Sequence, residues 1–171
     1  MNRRLGGIRI LKGIESDILP DGRLDYGDDV LEGLEVVVAS VHAGLRMSEE
    51  QATERLVRAI RNPHTTILGH PTGRLLLARE GYPIDVGKVL DTAAECGVAV
   101  EFNANPHRLD LDWRFLKAAK ERGVRVAINS DAHSVAELDY TRTGVDVARK
   151  GWLSKDDVLN AMPLEQILNL L

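Results

Sequence analysis

VAVEFNANPHRLDLDWRFLKAAKERGVRVAINSDAH, residues 98–133, contains one complete strand–helix–strand unit. Two near-continuous apolar runs, VAVEFNA (98–104) and VRVAINSDAH (124–133), flank a segment of helical period. Asp112 opens that helix, Phe115, Leu116 and Ala119 face inward, and Gly123 follows its end. Strands that are apolar along their length, rather than alternating, are expected where a parallel sheet is covered on both faces. Joining two such strands through a helix requires a right-handed crossover.

The same grammar extends toward the N-terminus. Further β-rich runs are ILKGIESDI, with its core at 11–18, EVVVASVHA (35–43) and TTILGH (65–70). Ser48 and Gln51 form a capping box ahead of Ala52, Leu56, Val57 and Ile60, and Asn62-Pro63 stops that helix. Asp85 caps another carrying Val86, Val89, Leu90 and Ala93, with Gly97 placed to end it. The repeat predicts an α/β fold with about five parallel strands, either doubly wound or closed as a barrel. Residues 141–171 change pattern and predict two or three short outer helices, with Ser154 as a cap and Pro163 as a break before LEQILNLL. Nothing resembles a linker, so residues 1–171 are expected to form one domain, with strand–helix units over 8–133 and C-terminal helices over 134–171.

The chain has 171 residues, 44% hydrophobic and 28% charged, the balance of an ordinary folded domain. At that length roughly 70% of the unfolded surface can be buried, so a core can form without staples. Cys96 is the single cysteine, which excludes an internal disulfide and a cysteine-rich zinc cluster. The opening MNRRLGGIRILKG is too short and too interrupted for a signal peptide or membrane span, and a cytoplasmic location is expected. The formal net charge of −4 lacks the basic footprint of a protein that grips many phosphates. A nucleic-acid end could still be bound through metal ions, whose charge that count omits. No Gly-rich phosphate loop or nucleophile elbow occurs, and GGIRILKG precedes a strand where a dinucleotide fingerprint would follow one.

The ligand-type residues share a position. Glu15, His42, His70 and the pair Asp131/His133 each fall at or just past the C-terminal end of a different expected strand, as do Glu101 and Asn103. Strand C-termini of a parallel sheet share one face, and that face holds the site. Imidazoles and carboxylates without thiolates suit manganese, zinc or iron. Paired ions can clamp both oxygens of a phosphoryl displacement. Taken singly, each residue has a plainer role: a hydrogen-bonded histidine, a salt-bridge glutamate, an aspartate closing a turn. Five on one face favour a metal site. His107, in NANPHRLDL, lies near enough to approach substrate, whereas His64 falls on the opposite side as a structural or solvated residue. Arg74 and Arg108 read equally as phosphate contacts or as surface arginines. Trp113 and Trp152 read as packing residues at helix starts.

GIESDILPDG, VVASVHAG, ILGHPTGRLLL, VEFNANPHRLDLDW and INSDAHS, in that order, resemble the later motifs of the PHP (polymerase and histidinol phosphatase) family, a distorted seven-stranded β/α barrel. ILPDGRLDY, NANPHRLDL and ARKGWLSKDDVLNAMPLEQIL look like the PHP domain of bacterial family X DNA polymerases, and the resemblance covers essentially the whole chain. It implies an incomplete TIM-like barrel and up to three divalent ions, manganese or zinc. The metal ligands and catalytic residues would be Glu15, His42, His70, Asp131 and His133, with Arg74, Asn103, Asn105, His107 and Arg108 toward substrate. The implied activity is phosphoester hydrolysis, 3'-5' exonucleolytic trimming of DNA 3' ends, in partnership with a polymerase domain. Two alternatives remain: a small-molecule phosphatase of the histidinol-phosphate type and a catalytically silent structural fragment.

The His-x-His and Thr-Asp-His strands that open such domains do not occur before Gly13. The chain is therefore expected to lack about two strands and roughly half the family's histidine ligands, and to be weakly active or silent in isolation. An open five-stranded sheet would present two unpaired edges and favour self-association.

Overall fold

The computed structural model describes residues 2, 6 and 8–170. The reading of the opening MNRRLGG stretch, and the last residue of the C-terminal helices, lie partly outside them. Five strands, β1 (Gly13–Asp17), β2 (Val36–Ser40), β3 (Ile67–Leu68), β4 (Ala99–Asn103) and β5 (Val126–Asn129), form one parallel sheet in the order of the chain. The sheet is open, as an incomplete barrel would be. Helices α1 (Asp28–Leu31), α2 (Glu49–Ile60), α3 (Val86–Cys96) and α4 (Trp113–Glu121) supply the crossovers, and α5 (Tyr140–Lys150), short 3₁₀ turns and α6 (Leu164–Leu168) follow β5.

The helix signals act as their chemistry requires. Ser48 and Gln51 close the capping box of α2, the Asp85 side chain accepts from the Lys88 N–H at the start of α3, and Asp112 accepts from the Arg114 N–H at the start of α4. Ser154 and Asp157 form a second capping box, and Pro163 precedes α6. The four-residue α1 was not foreseen, being too short to show a period. Two expected packing residues are corrected. Phe115 is exposed, because α4 turns Leu116 and Ala119 into the core, with Trp113 and Ala118 beside them, and leaves Phe115 on the outer side. Trp152 is 71% exposed, at a backbone φ of 69°, whereas Trp113 packs on the core beneath Lys150 Nζ.

The strand register divides the sheet into two unlike faces. Val37, Ala39, Leu68, Val100, Phe102, Val126 and Ile128 belong to a large apolar cluster shared with the helices. The other face begins with Val36, Val38, Ile67, Ala99 and Ala127, which are closed from below by Leu159 and Met162. Higher on that face, toward the strand C-termini, register aligns Glu15 with Val38, Glu101 with Ala127, and Asn103 with Asn129. Polar side chains thus replace apolar ones at the height where a parallel sheet places its site.

The expectation of two unpaired edges is corrected at β5. Val126 makes a parallel bridge to Val158, while Asn160 accepts from the Ile128 N–H (3.1 Å) and donates to the Ile128 carbonyl (2.6 Å). At the opposite edge, the Asp17 N–H donates to the Asp25 carboxylate and the Asp17 carbonyl accepts from the Asp25 N–H. No helix of the described residues is long and apolar enough to cross a membrane.

Candidate metal centre

His42, His70 and Asp131 each lie two residues past the last residue of their strand, β2, β3 and β5, while Glu15 projects from within β1. The close approach of β3 to β2 depends on Gly69, since a Cβ there would lie 2.2 Å from Ser40 Oγ. His70, next in the chain, takes a φ of 22°. The loops are also stitched from below. Buried Arg55 of α2 donates to the carbonyls of Ile18, Leu19 (2.9 Å) and Ala43 (3.1 Å), which fixes the segments following Asp17 and His42.

Glu15, His42 and His70 come together, their ligand atoms all within 4.8 Å of one another. Glu15 Oε1 lies 3.1 Å from His70 Nε2 and 3.3 Å from His42 Nε2, and the two imidazoles meet edge-on with centroids 5.2 Å apart. His42 Nδ1 is in contact with the Asp17 carboxylate. A carboxylate on one ring nitrogen with the other nitrogen facing the cluster is how metal-binding histidines are oriented. His70 Nδ1 is buried without a partner. The donor chemistry, two imidazoles and a carboxylate converging from three strands, fits a divalent cation.

The His70 hydrogen bond is the main cause that holds the Glu15 carboxyl down to about 2, against the effect of burial. Burial opposes charge on His70 most strongly, yet the Glu15 hydrogen bond and the Glu101 charge together raise its pKa. Burial pushes Glu101 up.

Beneath the cluster lies a polar rack. Glu101 accepts from the His70 backbone N–H (2.7 Å), from Asn129 Nδ2 (2.8 Å) and from Asn103 Nδ2 (3.2 Å). Asn103 Nδ2 also reaches Asp131 Oδ2 (3.1 Å), which Arg108 Nε contacts at 3.1 Å. Asp131 is therefore tied to His70 through the rack without joining the three-residue group. His133 stands farther out: its side chain is 79% exposed, with its backbone N–H donating to Glu137. Among the described residues no other group of three or more His, Cys, Asp or Glu meets the 4.8 Å spacing.

The residues placed toward substrate differ in availability. Arg74 is turned inward, donating to the carbonyls of Arg108 (2.9 Å) and Leu109 and to Asp112 (2.5 Å). Asn105 Oδ1 accepts from the His107 N–H, and the His107 side chain is exposed. His64 lies 3.7 Å from Asp28, away from the cluster. Sequence reasoning missed Asp17, Arg55 and Asp110. Asp17 could have been found as the i+2 neighbour of Glu15 on a strand, and Arg55 as a charge on the apolar stripe of α2. Asp110, which accepts from the Thr72 N–H (3.0 Å) and hydroxyl (2.9 Å), carries no local signal.

An open parallel α/β sheet with an imidazole–carboxylate cluster at its C-terminal rim defines the class of this domain. The chain belongs to the family of a probable phosphatase of Shewanella sp. strain ANA-3, with which it is 32% identical over 99% of its length and 68% of that protein's. A probable phosphatase of Thermoanaerobacter sp. strain X514 is 34% identical over 92% of the chain and 66% of that protein. The DNA polymerase/3'-5' exonuclease PolX of Bacillus subtilis is 47% identical over 98% of the chain, which spans 29% of that protein's length. No family model matches the chain.

Proposed function

We propose that the chain is the larger part of a PHP domain of the kind attached to family X DNA polymerases, a metal-dependent phosphoesterase that trims DNA 3' ends. The convergence of Glu15, His42 and His70 from three separate strands carries this reading. Support comes also from the 47% identity to a protein named as a polymerase and 3'-5' exonuclease. A divalent cation, manganese or zinc, held by those residues would supply charge neutralisation for a phosphoryl group and acidify the attacking water. The chain's own groups prepare for it. Asp17 orients His42 with Nε2 inward, Glu101 holds the backbone of His70, and Arg108 keeps Asp131 directed toward the rack. Asp131 and His133 complete the proposed ligand set, and Asn103, Asn105 and His107 border the substrate side. The domain extends over residues 1–171, works in the cytoplasm, and self-associates through its β1 side.

Elemental analysis after dialysis against manganese or zinc, paired with hydrolysis of a 3'-labelled oligonucleotide, tests the proposal. Bound metal and at most weak metal-dependent release of 3' nucleotides are expected from this chain, both lost in His42→Ala and His70→Ala; a protein that retains no metal would refute it. Light-scattering chromatography showing a monomer at every concentration would remove the self-association. The probable phosphatases, of which the chain spans two thirds, favour a second reading, a small-molecule phosphatase. Preferential turnover of histidinol phosphate over the oligonucleotide would select it.

A further inference from the structure

The two arginines read from the sequence as phosphate contacts are engaged by the protein itself, Arg74 by two carbonyls and Asp112, and Arg108 by Asp131. A different pair lies beside the cluster without a carboxylate partner among the described residues. An open cleft of about 640 Å³ starts at His42 and is bordered by Arg46, Arg79 and Tyr82. Arg46 is exposed, and neither Arg46 nor Arg79 is in an ion pair among the described residues, while seven other arginines are. Arg79 is oriented by Nε (3.1 Å) and Nη2 (2.6 Å), both donating to the Gly73 carbonyl. An anchored guanidinium loses less freedom when it meets a phosphate than a free one. Leu45, Met47 and Pro83 give the cleft an apolar lining, and the buried Tyr82 hydroxyl in its wall lacks a partner. Glu80 is the one carboxylate on the lining, so the two arginines leave the cleft positive.

We propose that this cleft seats the backbone of a single nucleic-acid strand. Arg46 and Arg79 would hold the phosphates next to the one delivered to Glu15, His42 and His70, and the apolar lining would take a sugar or base. The size supports a nucleotide rather than a lone phosphate, since ligand clefts of roughly 300–1,000 Å³ enclose molecules larger than an inorganic anion. A positively charged groove that tracks the backbone is the electrostatic component of sequence-independent strand binding. The proposal deepens the phosphoesterase reading, on which it rests for what happens at the cluster.

The test is anisotropy of a 5'-fluorescein single-stranded oligodeoxynucleotide, titrated at several salt concentrations with and without manganese. The proteins compared are the wild type, Arg46→Ala, Arg79→Gln, the double variant, and Arg142→Ala on the distant α5 as a control. Each cleft variant should flatten the dependence of log affinity on log salt by about 0.7, and the double variant by about 1.4, because one phosphate contact is lost per arginine. Arg142→Ala should match the wild type. Manganese affinity by calorimetry should not change in any variant. Wild-type affinity and salt slope in the double variant, or no strand binding by the wild type, would overturn the proposal. Arginine-dependent strand binding by a protein that retains no manganese would uphold the cleft while sinking the phosphoesterase reading. Arg46 is exposed and unpaired, so its variant keeps the test valid even if Arg79→Gln unfolds.

Discussion

The two faces of the sheet are built from the same strands and yet solve different problems. On the helical face every position from Val37 to Ile128 is apolar and buried against helices, and its contribution is stability. The inner face is apolar only at its base, then turns to Glu15, Asp17, Glu101, Asn103 and Asn129. A polar group placed so deep is tolerated only where its hydrogen bonds are made, and the rack around Glu101 makes them. Stability and ligand chemistry are thus divided by the period-two alternation of the strand.

Substitutions on the two faces should therefore separate in what they change. The largest expected effect lies on the helical face: Phe102→Ala, at a fully buried position, should lower the unfolding free energy by about 3–5 kcal/mol in a urea titration. A loss below about 1 kcal/mol would break the comparison. On the inner face Asp17→Asn should lower manganese affinity about 10–100-fold by calorimetry, because His42 loses its orienting carboxylate. Its urea midpoint should stay near wild type, the Asp17 side chain being half exposed.

Asp112 sharpens the contrast through pH. Burial, the largest influence, raises its pKa, yet the donors from Arg114 and Arg74 prevail and hold the carboxyl well below the ordinary range. A depressed carboxyl stabilises the fold fully above its unfolded value, near ~3.9, and that contribution disappears as pH falls through the folded value. Asp112→Asn should cost about 1–2 kcal/mol at neutral pH, partly as a lost N-cap. The gap to wild type should narrow below about pH 4 in thermal melts followed by circular dichroism. The smallest effect is expected for Ser48→Ala, about 1 kcal/mol from the α2 cap, with metal affinity unaltered.

The helical face was legible because its signals are local. Apolar runs marked all five strands, and Ser48, Asp85 and Asp112 each cap the helix they precede. The cluster was legible in part, since strand ends can be read and strand C-termini share a rim. Glu15, His42 and His70 converge, whereas Asp131 is engaged by Asn103 and Arg108, and His133 faces outward. The engagement of Asp131 depends on how residues 103–112 fold back toward β3. The same segment determines the fate of Arg74, whose carbonyl partners lie 34 and 35 residues away. No periodicity carries such a contact. Trp152 failed for a related reason: its type suggests burial, but the turn after α5 points it outward.

Asn160 imitates a peptide unit. By offering Ile128 both an acceptor and a donor from one carboxamide, it occupies the rim of β5 as a neighbouring chain would, without extending the ladder. An extended peptide arriving there would first have to displace both hydrogen bonds to an already satisfied amide. Sheet growth, whether productive pairing or amyloid-like stacking, is thereby opposed at the β5 rim.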